Sequence, residues 1–225
     1  MASDSRLTLD TRRQQDDQQV VHLAISQTDA NYKTFLAPNH IGISTFGAAE
    51  IQGVPISGSI DSFIHEHLNE STDIDAVPQM LIEYFQEMPL VKDTGFHVAG
   101  YKRIDKHHVQ RIWRVWIKKK TVNHINVNGG QGASWDGESD ILSRLIKPVW
   151  VQDETGNMVA LPNYPIQLQF FTLQDAIDYA VYALRTTIDS IRFQVRPKTV
   201  GGPIDILVIQ PGKSFWVKRK ELRVS

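Results

Sequence analysis

Apolar residues recur at helical spacing in four parts of the chain and predict four amphipathic helices. The first two follow each other closely, and their apolar faces are Ile60, Phe63, Ile64 and Leu68 in one and Val77, Leu81, Tyr84, Phe85 and Met88 in the other. A third, short helix is predicted around 141–146. The fourth has the clearest face, which consists of Leu173, Ile177, Val181, Leu184, Ile188 and Ile191. We predict that this last face packs against a sheet.

Two helix starts carry local signals. Thr172 and Asp175 have the spacing of a capping box, with aspartate in place of glutamate. Asp75 precedes the second helix and is a candidate N-cap, with Pro78 tolerated in the first turn.

The segments between the helices predict β-strands. Residues 6–9 and 20–25 flank an all-polar run at 12–19, which predicts a long hairpin with a solvated tip. Further strands are predicted at 40–46, 95–102, 109–126, 204–209 and 215–218. The lysines at 118–120 are interpreted as a solvated strand end, because no basic stripe that could bind nucleic acid accompanies them.

The order of these elements predicts the fold class. Two or three strands are followed by two helices, two strands, two helices and two strands. Paired strands that alternate with paired helices do not favour a parallel βαβ sheet. They predict an α+β fold, namely a four-layer αββα sandwich of two antiparallel sheets flanked by helices, in one domain spanning 1–225.

Composition removes several function classes. The chain has 225 residues, 41% of them hydrophobic and 22% charged, with a formal net charge of −1. This balance gives no electrostatic argument for nucleic acid or an anionic membrane as a partner. The absence of cysteine excludes disulfides, thiolate zinc sites and cysteine nucleophiles. No signal-peptide pattern is visible and no apolar run reaches the ~20 residues of a membrane span, so a cytoplasmic protein is expected.

Motifs for cofactors are also lacking. The glycine-rich turn at 128–132 is not followed by the lysine and hydroxyl residue of a phosphate-binding loop, and it is interpreted as a turn that needs positive φ. His65 and His67 are two residues apart on a helix, so they point to different faces and form a poor metal pair. We therefore predict no cofactor and no metal.

Three blocks of sequence share their order and spacing with a known family. They are MASDSRLT at 1–8, KTFLAPNHIGISTFG at 33–47 and VGGPIDILVIQPG at 200–212. Together with the helix order, they resemble proteasome β-subunits and bacterial proteasome-like peptidases, which are N-terminal-nucleophile (Ntn) hydrolases. The resemblance covers nearly the whole chain and implies a threonine-type peptidase or amidohydrolase that acts on peptide or amide substrates.

The resemblance also implies roles for four residues. Lys33 would be the lysine that tunes proton transfers near the nucleophile, and Asp4 would be its carboxylate partner. The backbone N–H of Gly47 would donate to the developing oxyanion, and Arg6 would help to hold the cluster. The alternative for Asp4, Arg6 and Lys33 is an ordinary set of surface ion pairs.

Two departures from the family pattern bear on activity. The chain begins where the first strand of the family should be ending, so it contains no residue that can serve as the nucleophile. Ser3 lies within the ASD block and not at the start of a strand. Gln131, Pro197 and Val200 stand where the family has a supporting serine, aspartate and serine. We therefore expect the chain as given to be inactive.

Three interpretations remain open at this point. The chain is an Ntn peptidase shown without its first strand, a non-catalytic assembly subunit of a proteasome-like particle, or an Ntn amidase that acts on small amides. Self-association into a ring is predicted in part from the wide apolar arc of the fourth helix, which includes Tyr179 and Tyr182, with 137–146 and Trp135 as a partner surface. The alternative is that these aromatics pack beneath the extended segment 148–171.

Overall fold

The computed structural model describes residues 1–15, 19–48, 50–88 and 94–221. In chain order the strands of these parts are β1 (Ala2–Ser3), β2 (Leu7–Gln15), β3 (Gln19–Thr28), β4 (Thr34–Ala37), β5 (Ile41–Phe46), β6 (Glu50–Ile51), β7 (Val54–Pro55), β8 (Gly95–Ile104), β9 (His107–Trp116), β10 (Thr121–His124), β11 (Trp150–Gln152), β12 (Met158–Ala160), β13 (Asp205–Gln210) and β14 (Lys213–Lys218). The helices are α1 (Ile56–His67), α2 (Val77–Gln86), α3 (Asp140–Ile146) and α4 (Leu173–Phe193), with a 3-10 turn at Leu168–Phe170.

Every strand pairing among the described residues is antiparallel. The larger sheet has the order β10-β9-β8-β5-β4, and a three-stranded sheet has the order β1-β13-β14. The pairs β2–β3, β6–β7 and β11–β12 stand as separate two-stranded hairpins. The structure is therefore mixed α and β with antiparallel sheets, and the hairpin predicted around the polar run is confirmed.

The main core lies between α1, α2 and the five-stranded sheet. Phe63 of α1, Phe85 of α2 and Phe96 of β8 are all fully buried in it. The rings of Phe85 and Phe96 lie 4.9 Å apart in a tilted arrangement. Each of these two helices has its apolar residues on one face. The helices are stabilised because that face is buried against the sheet.

Two predictions about this region were wrong. The strand predicted at 109–126 is two strands, β9 and β10, separated by a turn that contains the three exposed lysines 118–120. Lys120, the last residue of this turn, has φ 47°, a left-handed conformation that lets the chain reverse before β10. Asp75 does not cap α2, whose N-cap is Ala76. The Asp75 carboxylate instead accepts charge-assisted hydrogen bonds from two cations, Lys102 and Arg111, and is therefore turned away from the helix start.

The polar run at 12–19 also differs from its interpretation as a loop tip. Residues 12–15 belong to β2 and residue 19 begins β3, so the strands extend into the run. Residues 16–18 lie outside the described parts of the chain.

Helix α4 begins as the sequence predicts but is buried only near its end. Its capping box is confirmed: Thr172 Oγ1 accepts from the N–H of Asp175, and Thr172 N donates to the Asp175 carboxylate at 2.8 Å. Of its residues only Thr187 and Ile191 are buried, whereas Leu173 is 44% exposed. The prediction that its whole apolar face packs against a sheet is therefore wrong for the N-terminal half.

A pair of glycine substitutions tests the packing of β5 against β8. A Cβ on Gly95 would lie 2.3 Å from the Phe46 ring and 2.9 Å from the Val115 carbonyl oxygen, so Gly95→Ala should destabilise the fold by about 1–3 kcal/mol. Gly58 lies in α1 with nothing within 4 Å of its Cβ position, so Gly58→Ala should instead stabilise it by up to about 1 kcal/mol. Urea unfolding of both variants checks this, and shifts of the same sign would contradict it.

Candidate functional site

A cavity of about 870 Å³ opens beside the start of the chain. Its wall is formed by residues 1–4, the end of β5, the loop that follows β10, and the N-terminal half of α4. Asp4, Arg6, Lys33 and Gly47 all line it. The structure thus brings the four residues singled out from the sequence to one cavity.

Lys33 and Asp4 form an ion pair that is largely shielded from solvent. Lys33 Nζ lies 2.8 Å from Asp4 Oδ1, and the two side chains are 18% and 10% exposed. Asp4 Oδ2 accepts hydrogen bonds from the N–H groups of Arg6 and Gly201, at 3.0 and 3.1 Å. Both carboxylate oxygens are therefore occupied, and the aspartate holds the ammonium group in a fixed position at the cavity wall.

A row of buried hydroxyl groups places Lys33 next to Asp4. Thr34, which follows Lys33, is fully buried, and its Oγ1 donates to Ser3 Oγ at 2.8 Å. The same hydroxyl lies 3.2 Å from Ser44 Oγ on β5. The carbonyl of Lys33 accepts from Thr45 N at 2.9 Å. These bonds fasten the first residues of the chain to β4 and β5, so the side chains of the neighbouring Asp4 and Lys33 meet.

Gly47 directly follows β5 and lines the same cavity. Its φ is 88°, in the left-handed region where a side chain is disfavoured, so glycine suits this turn. The residue before it, Phe46, packs its ring against Trp116 at a centroid distance of 4.9 Å. The packing of Phe46 therefore fixes the position of the next residue, Gly47, whose backbone lies at the cavity.

Arg6 touches Asp4 through its backbone N–H, whereas its guanidinium group binds other residues. The guanidinium binds both oxygens of Asp29, at 2.7 and 2.9 Å, and reaches the carbonyl of Lys198 at 3.4 Å. The hydrogen bond from Arg6 lowers the pKa of Asp29 below its usual value. A Cβ at Gly201 would lie 2.5 Å from Arg6 Cζ, so the chain at Gly201 passes close to the end of this side chain. Arg6 thereby holds the segment whose N–H binds Asp4.

A second polar cluster, which was not predicted from the sequence, lies at the cavity. His97 Nε2 lies 3.0 Å from Asp136 Oδ2 and 2.9 Å from Ser134 Oγ. The centroid of the His97 ring lies 5.0 Å from that of Phe46. Because serine and aspartate meet the same ring nitrogen, the group lacks the arrangement of a Ser-His-Asp triad, which uses both nitrogens. The β5–β8 register places Ser44 opposite His97, so the cluster continues the row of hydroxyl groups. No local pattern could have found it, because strand and loop meet only in the fold.

The three positions at which the chain departs from the resemblance carry no hydroxyl or carboxylate. Gln131 is exposed at the cavity wall and Pro197 is half-buried. Val200 is buried in a small apolar cluster with Ile141 and Ile191. Of the three, Val200 therefore adds apolar packing at the cavity, Gln131 stays exposed and Pro197 does not line the cavity.

Within residues 1–15, 19–48, 50–88 and 94–221, no group of three or more histidine, aspartate or glutamate residues is placed to hold a metal ion. None of the helices in those parts has the length and apolar character needed to cross a membrane.

Comparison with known proteins does not assign the chain. It matches no known protein-family model and no curated protein.

Proposed function

We propose that this chain forms the body of a proteasome-like Ntn hydrolase that cleaves peptide or amide bonds in the cytoplasm. In this proposal the fold is a four-layer αββα sandwich, and the nucleophile lies on a strand outside residues 1–225. The observation that carries the proposal is the shielded Lys33–Asp4 ion pair at the wall of a cavity that Gly47 also reaches.

The chemistry needs these groups in this arrangement. An N-terminal threonine uses its own α-amino group as the base that activates its hydroxyl. A fixed ammonium group beside that hydroxyl stabilises negative charge on the oxygen and exchanges protons with it. A backbone N–H at the position of Gly47 can donate to the oxyanion of the tetrahedral intermediate. Lys33 and Gly47 both line the cavity, so in this proposal the added strand supplies the nucleophile.

The edge of β1 is where such a strand would add. Among the described residues, β1 pairs with β13 on one side only, which leaves backbone donors and acceptors on its other side. The cavity runs along residues 1–4 and reaches Ala176 and Ala180 on the incompletely buried half of α4. A strand added here would pair with β1, cover part of α4 and end near Lys33.

A second candidate function is a non-catalytic assembly subunit. It is favoured by Gln131, Pro197 and Val200, which lack the serine and aspartate side chains that the resemblance implies at these positions. An amidase specific for small amides would use the same Lys33–Asp4 site, and only its substrates would distinguish it.

The decisive experiment extends the protein upstream. If the codons before Met1 encode threonine, serine or cysteine followed by a β-branched apolar stretch, they are added in frame. Any residues that would precede this nucleophile are removed, so that it is the first residue of the protein. We expect the extended protein to hydrolyse fluorogenic peptide amides or small amides, and residues 1–225 alone to be inactive. The extended protein should also melt at a higher temperature, because the open edge of β1 is filled.

The matched control is the extended protein with its first residue changed to alanine. It should keep the higher melting temperature and lose the activity. Equal hydrolysis by all three proteins would contradict the proposal. An in-frame stop codon directly before Met1 would favour the assembly subunit.

A further inference from the structure

One continuous segment of the chain is left unburied. From residue 143 to residue 186, each residue is partly or fully exposed. The segment contains the hairpin β11–β12, the 3-10 turn and the first two-thirds of α4. We call residues 148–171 the arm. All six residues of its hairpin strands are exposed, although a lone two-stranded hairpin is only marginally stable in water.

The arm is too apolar for a surface that stays in water. Its exposed large apolar residues are Trp150, Val151, Met158, Val159, Leu161, Tyr164, Ile166 and Phe170. Its charged residues are Asp153 and Glu154, both at the hairpin tip. Aromatic residues and methionine are enriched and charges are depleted at the centres of protein–protein interfaces, so the arm has the composition of such a centre.

The exposed area is sufficient for a stable contact. Trp150, Tyr164 and Phe170 are 56%, 85% and 78% exposed. Because a fully exposed aromatic side chain offers roughly 150–250 Å², these three present about 400 Å². With the five other apolar side chains, the arm approaches the ~800 Å² per partner that a stable protein–protein interface buries.

The chain also provides a counterpart for the charged tip. Lys118, Lys119 and Lys120 form the exposed turn between β9 and β10, which we call the lysine turn. An acidic tip and a basic turn on one chain are complementary between two copies. A contact of this kind joins two different surfaces and is heterologous.

We propose that the arm is the surface through which this chain binds a second copy of itself, with the acidic tip of one copy at the lysine turn of the next. The proposal rests on the exposure of the arm and is independent of the proposed activity. It has a consequence for the cavity, because Leu168 and Phe171 of the arm lie at its wall. Self-association would therefore bring a second chain to the entrance of the site.

Sedimentation analysis of the whole protein tests the surface. We expect the unsubstituted chain to be a dimer or larger at micromolar concentration. Trp150→Asp combined with Met158→Asp should raise the dissociation constant at least about 100-fold and yield monomers. The matched control is Val54→Asp, because Val54 is 59% exposed outside the arm. It should leave the assembly unchanged, and circular dichroism should show the same helix content in all three proteins.

Two results would overturn the assignment. A monomer at high micromolar concentration would exclude self-association, and an arm variant that assembles like the Val54→Asp control would exclude the arm. Capture of a different protein by the arm of a monomeric chain would also contradict the proposal.

Cross-linking tests the counterpart. Since the chain has no cysteine, single substitutions give clean attachment points. Chains with Glu154→Cys and chains with Lys119→Cys are mixed and treated with a short bis-maleimide. A cross-linked pair of unlike chains is expected, with much less product when Lys218→Cys, at another exposed lysine, replaces Lys119→Cys. Equal yields would rule out the lysine turn.

Discussion

Replacing Lys33 with alanine is expected to lower kcat/KM for amide hydrolysis by about 10²–10⁴-fold in the upstream-extended protein, which is the range for loss of a positioned acid–base group. The ammonium group is held 2.8 Å from Asp4 Oδ1 at the cavity wall, and both side chains are largely shielded from solvent. The variant removes the only part of the pair that can exchange a proton with the nucleophile in the proposed mechanism. Steady-state hydrolysis of a fluorogenic amide measures the loss.

Two further variants separate chemistry from charge. Lys33→Arg keeps a cation beside Asp4 but cannot give up a proton, so it should recover little of the rate. Lys147→Ala removes an exposed lysine after α3 and should leave the rate unchanged. If Lys33→Ala were as active as Lys147→Ala, the Lys33–Asp4 pair would be a structural ion pair only, and the proposed mechanism would be wrong.

Helices were predicted correctly where the segment itself carries the signal for a helix. The apolar faces of α1 and α2 recur at helical spacing, and both pack against the five-stranded sheet as that spacing requires. The start of α4 follows from Thr172 and Asp175, which are three residues apart and bind each other directly. Local patterns of this kind need no knowledge of the rest of the chain.

The errors came from features that depend on distant residues. The turn at 117–120 gives no warning in the sequence, because lysine rarely adopts the left-handed conformation found at Lys120. Asp75 suited a cap, but Lys102, Arg111 and Trp113 approach it from β8 and β9. The face of α4 was identified correctly, yet periodicity reports which residues share a face and not what covers them.

Only those site residues that lie in blocks resembling a known family could be predicted from the sequence. Asp4 and Lys33 were paired because they occur in two blocks with the order of the proteasome-like peptidases, and the structure joins them through Ser3 and Thr34. The cluster of His97, Ser134 and Asp136 belongs to no such block. It depends on a loop that folds back over β8, which neither spacing nor composition encodes.

The largest effect on stability is expected at the buried ion pair between Asp205 and Lys220. Their side chains are 0% and 6% exposed. Asp205 accepts from both the backbone N–H of Lys220, at 2.7 Å, and its ammonium group, while Tyr32 Oη donates to the Lys220 carbonyl at 3.3 Å. The pair fastens the segment after β14 to the start of β13. Lys220→Met should cost about 3–5 kcal/mol of unfolding free energy, because it leaves a carboxylate buried without a countercharge.

The physical cause can be checked by removing the second charge and by changing the pH. Asp205→Asn combined with Lys220→Met keeps an acceptor for the N–H of residue 220 and removes the stranded charge, so it should recover most of the lost stability. Protonation removes the same charge, and the folded Lys220→Met chain then binds a proton more readily than the unfolded chain. Its stability relative to the unsubstituted protein should therefore fall as the pH rises. Chemical unfolding of each protein at mildly acidic and mildly alkaline pH measures both effects. A double variant as unstable as Lys220→Met, with no dependence on pH, would show that lost packing and not the unpaired charge destabilises the chain.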